Sequence, residues 1–166
     1  MSKHISVLLN ESIESLEVKE DGIYVDATLG YAGHSSCILK RIKKGHLFAF
    51  DQDNLAIEAS NQKLSKIGNN YTIIKSNFVN MKDKLLELGV ESVDGILFDL
   101  GVSSPQLDDV ERGFSFHKNA KLDMRMDQDS NFSAYDVVNT YSCEDLPRIL
   151  FAYGEEKYAR SIAKNI

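Results

Sequence analysis

The feature that most constrains this chain is an alternation of short apolar runs and helix-spaced segments between residues 23 and 99, with an aspartate closing three of the runs. Ile23-Tyr24-Val25-Asp26 is a β-rich run. Residues 34–44 have helical spacing, with Ile38, Leu39 and Ile42 on one face and Gly45 just past the end. Leu47-Phe48-Ala49-Phe50-Asp51 is almost wholly apolar, as a strand buried on both faces requires. Asp53 or Asn54 can cap the next helix, whose apolar positions are Leu55, Ile57, Ala59, Leu64 and Ile67. After the turn at Gly68-Asn69-Asn70 comes a third strand, Tyr71-Thr72-Ile73-Ile74. A helix over 81–88 ends at Gly89, and residues 93–99 read as a fourth strand. Short connections between alternating strands and helices predict an α/β fold with a parallel, doubly wound sheet and helices on both faces. A leading helix is expected over 7–16.

After Asp99 the pattern breaks. Residues 100–132 carry only fragments of either periodicity, and so long an irregular stretch suits a functional loop. Three helices are expected over 133–140, 142–153 and 155–166. Pro147 lies too deep for the second to run unbroken, which moves its start to near Leu146. The last segment carries no stop signal, so the chain is expected to end within a helix.

Composition narrows the classes. The chain has 166 residues, 43% of them hydrophobic, and a net charge of −6, which suits a globular fold and excludes a disordered one. No apolar run approaches the ~20 residues of a membrane span, and Met1-Ser-Lys-His opens no apolar signal core. Cys37 and Cys143 form no CxxC pair, which argues for reduced thiols and a cytoplasmic location. Histidines at 4, 34, 46 and 117 show neither HxxxH nor HExxH, so no metal is expected, and no GxSxG elbow supports a hydrolase. Residues 1–100 carry 11 basic and 14 acidic side chains, and residues 101–166 carry 8 and 11. Net charge therefore does not suggest a nucleic-acid partner, and any such partner must be gripped locally. Lys40-Arg41-Ile42-Lys43-Lys44 is the only basic cluster.

Ligands of open α/β sheets bind at the carboxyl ends of the strands, where Asp26, Asp51 and Asp99 fall. The first turn, Asp26-Ala-Thr-Leu-Gly30-Tyr-Ala-Gly33-His34, has two glycines that permit close backbone approach and positive φ. Its GxxG spacing is not the GxGxxG of dinucleotide binders and also fits tight helix–strand packing. Asp51 is placed to accept ribose hydroxyls, or else to cap a helix. Together they suggest a nucleoside-bearing cofactor. Asp26 before the glycines favours a cationic group there, such as a sulfonium-bearing amino acid, over a pyrophosphate. In the loop, Phe114 or Phe116 can stack on a base or pack locally. Arg112 or Arg125 can hold phosphate or pair with Asp108, Asp109 or Asp123.

Several blocks resemble the bacterial MraW family, the small-subunit ribosomal RNA methyltransferases H. They are His4-Ile-Ser-Val-Leu-Leu-Asn-Glu11, Asp26-Ala-Thr-Leu-Gly-Tyr-Ala-Gly-His-Ser35, Asp51-Gln-Asp53, Asp94-Gly-Ile-Leu-Phe-Asp-Leu-Gly-Val-Ser-Ser-Pro-Gln-Leu-Asp108, Arg112-Gly-Phe-Ser-Phe116, Leu122-Asp-Met-Arg-Met126 and Tyr153-Gly-Glu-Glu156. The resemblance implies a Rossmann-like sheet and S-adenosylmethionine as cofactor. It implies methylation of N4 of a cytidine in the decoding region of 16S rRNA, with the small ribosomal subunit as partner. Carried over by motif, Ala32, Gly33 and His34 contact the cofactor, Asp51 takes the ribose and Phe78 packs on the adenine side. Asp99 lies near the cofactor and Gln106 completes the pocket. The family usually has Gly-Gly-His where this chain has Ala32-Gly33-His34, and the expectation is that position 32 needs a small side chain rather than positive φ. Position and charge make Asp99, helped by Asp123, the candidate catalytic acceptor of the amine hydrogens.

The resemblance also implies a longer protein. Residues 1–108 are then an incomplete cofactor-binding core with four strands, the fourth presenting an unpaired edge. Residues 109–166 are the start of an inserted helical domain for substrate recognition. On that reading the 166-residue chain alone transfers methyl weakly or not at all. The competing readings are an NAD(P)-dependent oxidoreductase and a non-catalytic cofactor-binding fragment.

Overall fold

The computed structural model describes residues 6–166. His4 and Ile5, which open the 4–11 block, lie outside the described residues. The chain divides into two compact units, Met1–Ser103 and Ser104–Ile166.

The first unit is built on a four-stranded parallel sheet of order β3-β2-β1-β4. Its strands are β1 (Ile23–Asp26), β2 (His46–Asp51), β3 (Tyr71–Lys75) and β4 (Gly95–Leu97). Its helices are α1 (Leu9–Ser15), α2 (Gly33–Arg41), α3 (Asn54–Leu64) and α4 (Met81–Glu87). Successive strand residues point to opposite faces, so the apolar runs feed two cores. Tyr24, Leu47 and Ala49 pack with Ile13, Ile38, Leu39 and Leu64 from α1, α2 and α3. Val25, Phe48 and Phe50 pack with Met81 and Leu85 of α4 on the other face. The expected doubly wound α/β sheet is what the chain forms.

Element ends differ from the sequence reading for identifiable reasons. The leading helix starts at Leu9 rather than 7, because Leu8 takes a left-handed conformation with φ 48°. The fourth strand keeps only Gly95–Leu97 of the expected 93–99. Asp94 instead clamps the start of β1, its carboxylate accepting from Ile23 N at 2.9 Å while its own N–H donates to Ile23 O at 2.7 Å. Beyond Leu97 the chain leaves the ladder, and Asp99 N–H donates to Thr28 Oγ1 at 2.7 Å. Among the described residues β4 pairs with β1 alone, and Ile96 and Phe98 are exposed.

The second unit is irregular up to residue 133. It holds α5 (Ser104–Asp108), a single 3₁₀ turn at Val110–Arg112, then α6 (Ala134–Thr140), α7 (Asp145–Gly154) and α8 (Ala159–Asn165). Ser133 and Asp136 form a capping box at the start of α6. Pro147 sits in the first turn of α7, where its missing N–H costs nothing. The expected 155–166 helix starts later because Glu155 turns left-handed at φ 52° and closes α7. Its N–H donates to Phe151 O and that of Glu156 to Leu150 O. No helix of the described residues is long and apolar enough to cross a membrane.

Candidate functional site

The carboxyl edge of the sheet gathers Asp26, the turn to α2, Asp51, the segment after β3 and Asp99. All belong to the first unit.

Asp26 is 1% exposed, and both its oxygens are used inside the turn. Thr28 N–H donates to Oδ1 at 3.1 Å and Ser35 Oγ to Oδ2 at 2.6 Å. Burial pushes the carboxyl above its usual range, against the opposing pull of those two bonds and of nearby His34. Asp26 therefore organises the turn and does not present a carboxylate to a cationic ligand, which corrects the sequence reading.

The turn crosses into α2 through two left-handed residues, Gly30 at φ 49° and Ala32 at φ 54°. A small, fully buried side chain at 32 was expected and is found, but the expectation that positive φ is not needed there is overturned. The cause is the helix start. Ala32 N–H donates to Leu29 O at 2.9 Å and Ala32 O accepts from Ser36 N–H at 3.2 Å, so residue 32 must reverse the chain in one step. A Cβ in the left-handed region costs ~1 kcal/mol. At Gly33 an added Cβ would lie 1.8 Å from Ser6 Oγ, so the N-terminal segment rests directly on this residue.

Asp51 ends β2 and is partly buried. Its Oδ1 accepts from Gln52 N–H at 2.8 Å and Asp53 N–H at 2.9 Å, and its Oδ2 accepts from Gly30 N–H at 2.7 Å. Burial pushes this carboxyl up too, with nearby Asp53 adding to the shift and the three backbone N–H groups opposing it. Two lone pairs per oxygen leave Oδ2 one acceptor site beyond these bonds. The helix cap is supplied by Asp53, whose carboxylate accepts from Leu55 N–H at 3.0 Å, so Asp51 is not needed for it.

Phe78 follows β3 and meets Phe98 edge-on, with ring centroids 5.5 Å apart. Both rings are partly open to solvent. Asn77 Nδ2 donates to Gln52 Oε1 at 3.2 Å and so joins the loops after β2 and β3. His34 is 5% exposed, with Nε2 3.2 Å from Val7 O and Nδ1 3.6 Å from Asp99 Oδ2. The Asp99 side chain remains 45% exposed.

The first unit thus brings together Ala32, Gly33, His34, Asp51, Phe78 and Asp99. Gln106 is buried within the second unit, and Asp123 lies in its irregular part. Asp123 is held by Arg125, with Nε donating to Oδ1 at 2.8 Å and Nη2 to Oδ2 at 2.6 Å. That pairing lowers the Asp123 carboxyl below its usual range. Arg125 also donates to the carbonyls of Gln128 and Ser130. Arg112 is 3% exposed and donates to the carbonyls of Arg125 and Met126. Arg125 thus makes the expected pairing with Asp123, while Arg112 bonds loop carbonyls. Phe114 packs 5.9 Å from the Arg112 guanidinium, while Phe116 is 91% exposed.

Residue typing missed Thr28, Ser35 and Phe98. The first two are hidden because their roles are hydrogen bonds to Asp26 and to the Asp99 backbone. Phe98 had one available signal, its place beside an aspartate at a strand end.

Among solved structures, the chain is similar to a putative rRNA-methylase from Clostridium thermocellum, at 28% identity and TM-score 0.51, over 61% of this chain and 54% of that one. It is also similar in fold to a putative methyltransferase from Streptococcus mutans in complex with SAH, at 21% identity and TM-score 0.51, over 61% and 56%. The chain therefore spans a little over half the length of these structures. A model of the MraW methylase family matches residues 1–166, the whole chain, and the chain belongs to that family.

Proposed function

We propose that the first unit binds S-adenosylmethionine and serves a methyltransferase whose target is N4 of a cytidine in the decoding region of 16S rRNA, within the small ribosomal subunit. Membership of the MraW methylase family and the likeness to a putative rRNA-methylase support the reaction class and the RNA substrate. The observation that carries the cofactor is Asp51, a strand-end carboxylate fixed by three backbone N–H groups with an acceptor site to spare. That arrangement fits a ribose hydroxyl. The absence of a GxGxxG turn after β1 disfavours a dinucleotide.

In this reading the backbone of Gly30, Ala32 and Gly33 borders the cofactor, and Phe78 supplies an apolar wall for the adenine. Bound S-adenosylmethionine supplies a methyl group activated by its sulfonium. The chain must then orient a weak nucleophile, because the cytosine amino lone pair is delocalised into the ring. Holding the amine in line is the larger part of the task. Asp99, exposed at the same edge, accepts its hydrogens as the nitrogen becomes tetrahedral. Asp123 pairs with Arg125 within its own loop, and we assign the acceptor role to Asp99.

Titration calorimetry tests the cofactor. S-adenosylmethionine binds and NADH does not, and Asp51→Ala weakens binding at least tenfold. Binding of NADH without S-adenosylmethionine overturns the reading. Transfer of labelled methyl to small ribosomal subunits by the complete enzyme, followed by nucleoside mapping, tests the target. Asp99→Asn is expected to keep cofactor binding and lose turnover.

A further inference from the structure

The His34 side chain sits between two acceptors that belong to different parts of the first unit. Nε2 lies 3.2 Å from Val7 O. A carbonyl oxygen only accepts, so Nε2 carries a proton in that bond. Nδ1 faces Asp99 Oδ2 at 3.6 Å, beyond hydrogen-bond length, and the two attract as an ion pair when the ring carries a proton on both nitrogens. The ring is 5% exposed whereas the Asp99 side chain is 45% exposed, so a buried imidazole backs a carboxylate that looks outward. Asp99 is held from a second side by its own N–H, bound to Thr28 Oγ1 at 2.7 Å, and Thr28 N–H is bound to Asp26. The N-terminal segment is seated just as closely, with Ser6 Oγ filling the space where a Cβ on Gly33 would stand.

We propose that His34 is a positioning residue. Through one ring it ties the N-terminal segment at Val7 to the carboxylate of Asp99 and sets the direction in which that carboxylate points. The proposal rests on the reading of Asp99 as the acceptor of the amine hydrogens, and it gives His34 a role other than contact with the cofactor. Both ring nitrogens are turned to protein atoms, and the side chain has almost no surface left for a ligand. An orienting partner behind a reacting group matters because small errors of aim are costly, about a hundredfold for a displacement near 1 Å.

Two near-isosteric substitutions separate the two contacts. The amide nitrogen of His34→Asn stands near Nδ1 and keeps a donor toward Asp99 while abandoning Val7. That of His34→Gln stands near Nε2 and does the reverse. Hydrogen exchange on the 166-residue chain gives a readout without catalysis. His34→Asn speeds exchange in the N-terminal segment and spares the segment around Asp99, and His34→Gln shows the opposite pattern. In the complete enzyme, His34→Gln lowers kcat about ten- to a hundredfold with KM for S-adenosylmethionine nearly unchanged, and His34→Asn restores most of that loss. If both variants behave alike in exchange and turnover, or if the effect falls on KM alone, the proposal is overturned. Should neither variant fold, Asp99→Asn decides. It must shift the ¹⁵N resonance of His34 Nδ1 and leave that of Nε2, and an unmoved ring overturns the bridge. Loss of S-adenosylmethionine binding in the unsubstituted chain would instead remove the proposed function, while the exchange pattern would still judge the link itself.

Discussion

The two units are stabilised differently. The first buries aromatic and aliphatic side chains on both faces of a sheet, with Tyr24, Phe50, Leu47 and Val25 inaccessible or nearly so. In the second, the buried apolar residues among those described are Leu146 and Ala159. What orders its loop is instead the carbonyl-binding of Arg112 and Arg125 and the pair between Arg125 and Asp123. Apolar burial is non-directional and tolerates small shifts, whereas a guanidinium holding carbonyls fixes backbone geometry but contributes little once water can enter. A sheet that must hold strand-end carboxylates in place gains from the first kind of order. A long irregular loop gains definition from the second.

Five substitutions sharpen or break that contrast. Phe50→Ala is expected to cost about 3–5 kcal/mol in chemical denaturation, because it opens a cavity in the sheet core. Leu146→Ala should cost about 2 kcal/mol, the low end for such a change, since few other apolar side chains of its unit are buried. Equal costs at the two positions would erase the contrast. Arg112→Ala should lose about 2–3 kcal/mol of local order, read as faster hydrogen exchange over 113–133 with the first unit unaffected. An unchanged loop would mean that its apolar side chains suffice. Ala32→Val should cost about 2 kcal/mol of thermal stability, since a β-branched residue is poorly accommodated at φ 54°. Ala32→Gly should change stability by less than about 1 kcal/mol, because relief of that strain offsets the loss of a buried methyl.

The smallest effect is a slope. Asp26 has its carboxyl raised by burial, so the folded chain keeps the proton to higher pH than the unfolded chain does. Its contribution is complete below the unfolded value and is lost as pH rises through the folded one. Asp51 is raised in the same sense. Asp26→Asn, which can keep a bond to Thr28 N–H and one to Ser35 Oγ, should flatten the decline of stability as pH rises above the ordinary carboxylate range. A steeper decline would show that the charged form of Asp26 is the one the turn requires.

The sheet was legible because Val25, Phe48 and Phe50 alternate with Tyr24, Leu47 and Ala49, and both sets are apolar. Asp51 was legible for the same reason, since a strand buried on both faces has to end where the first acid appears. Asp26 shows the limit. Its place at a strand end was correct, but its neighbours Thr28 and Ser35 decide whether the carboxylate faces a ligand, and bonding geometry is not written in residue type. Ala32 misled because a methyl side chain satisfies a steric requirement without revealing the backbone angle beneath it. Arg112 and Arg125 stayed ambiguous because the carbonyls that capture them arise from a loop with no periodicity to read. The link from Val7 through His34 to Asp99 spans 27 and then 65 positions, beyond the reach of any local pattern.

The contact of Ser6 with Gly33 has an evolutionary consequence. With Ser6 Oγ occupying the place of a Cβ, residue 33 gains a side chain only if the Ser6 hydroxyl turns away, and a smaller residue at 6 would release that constraint. The two positions are therefore expected to vary as a pair. In a library randomised at both, survivors with a side chain at 33 should be enriched for glycine at 6, so that the N-terminal segment and the glycine turn are inherited as one unit.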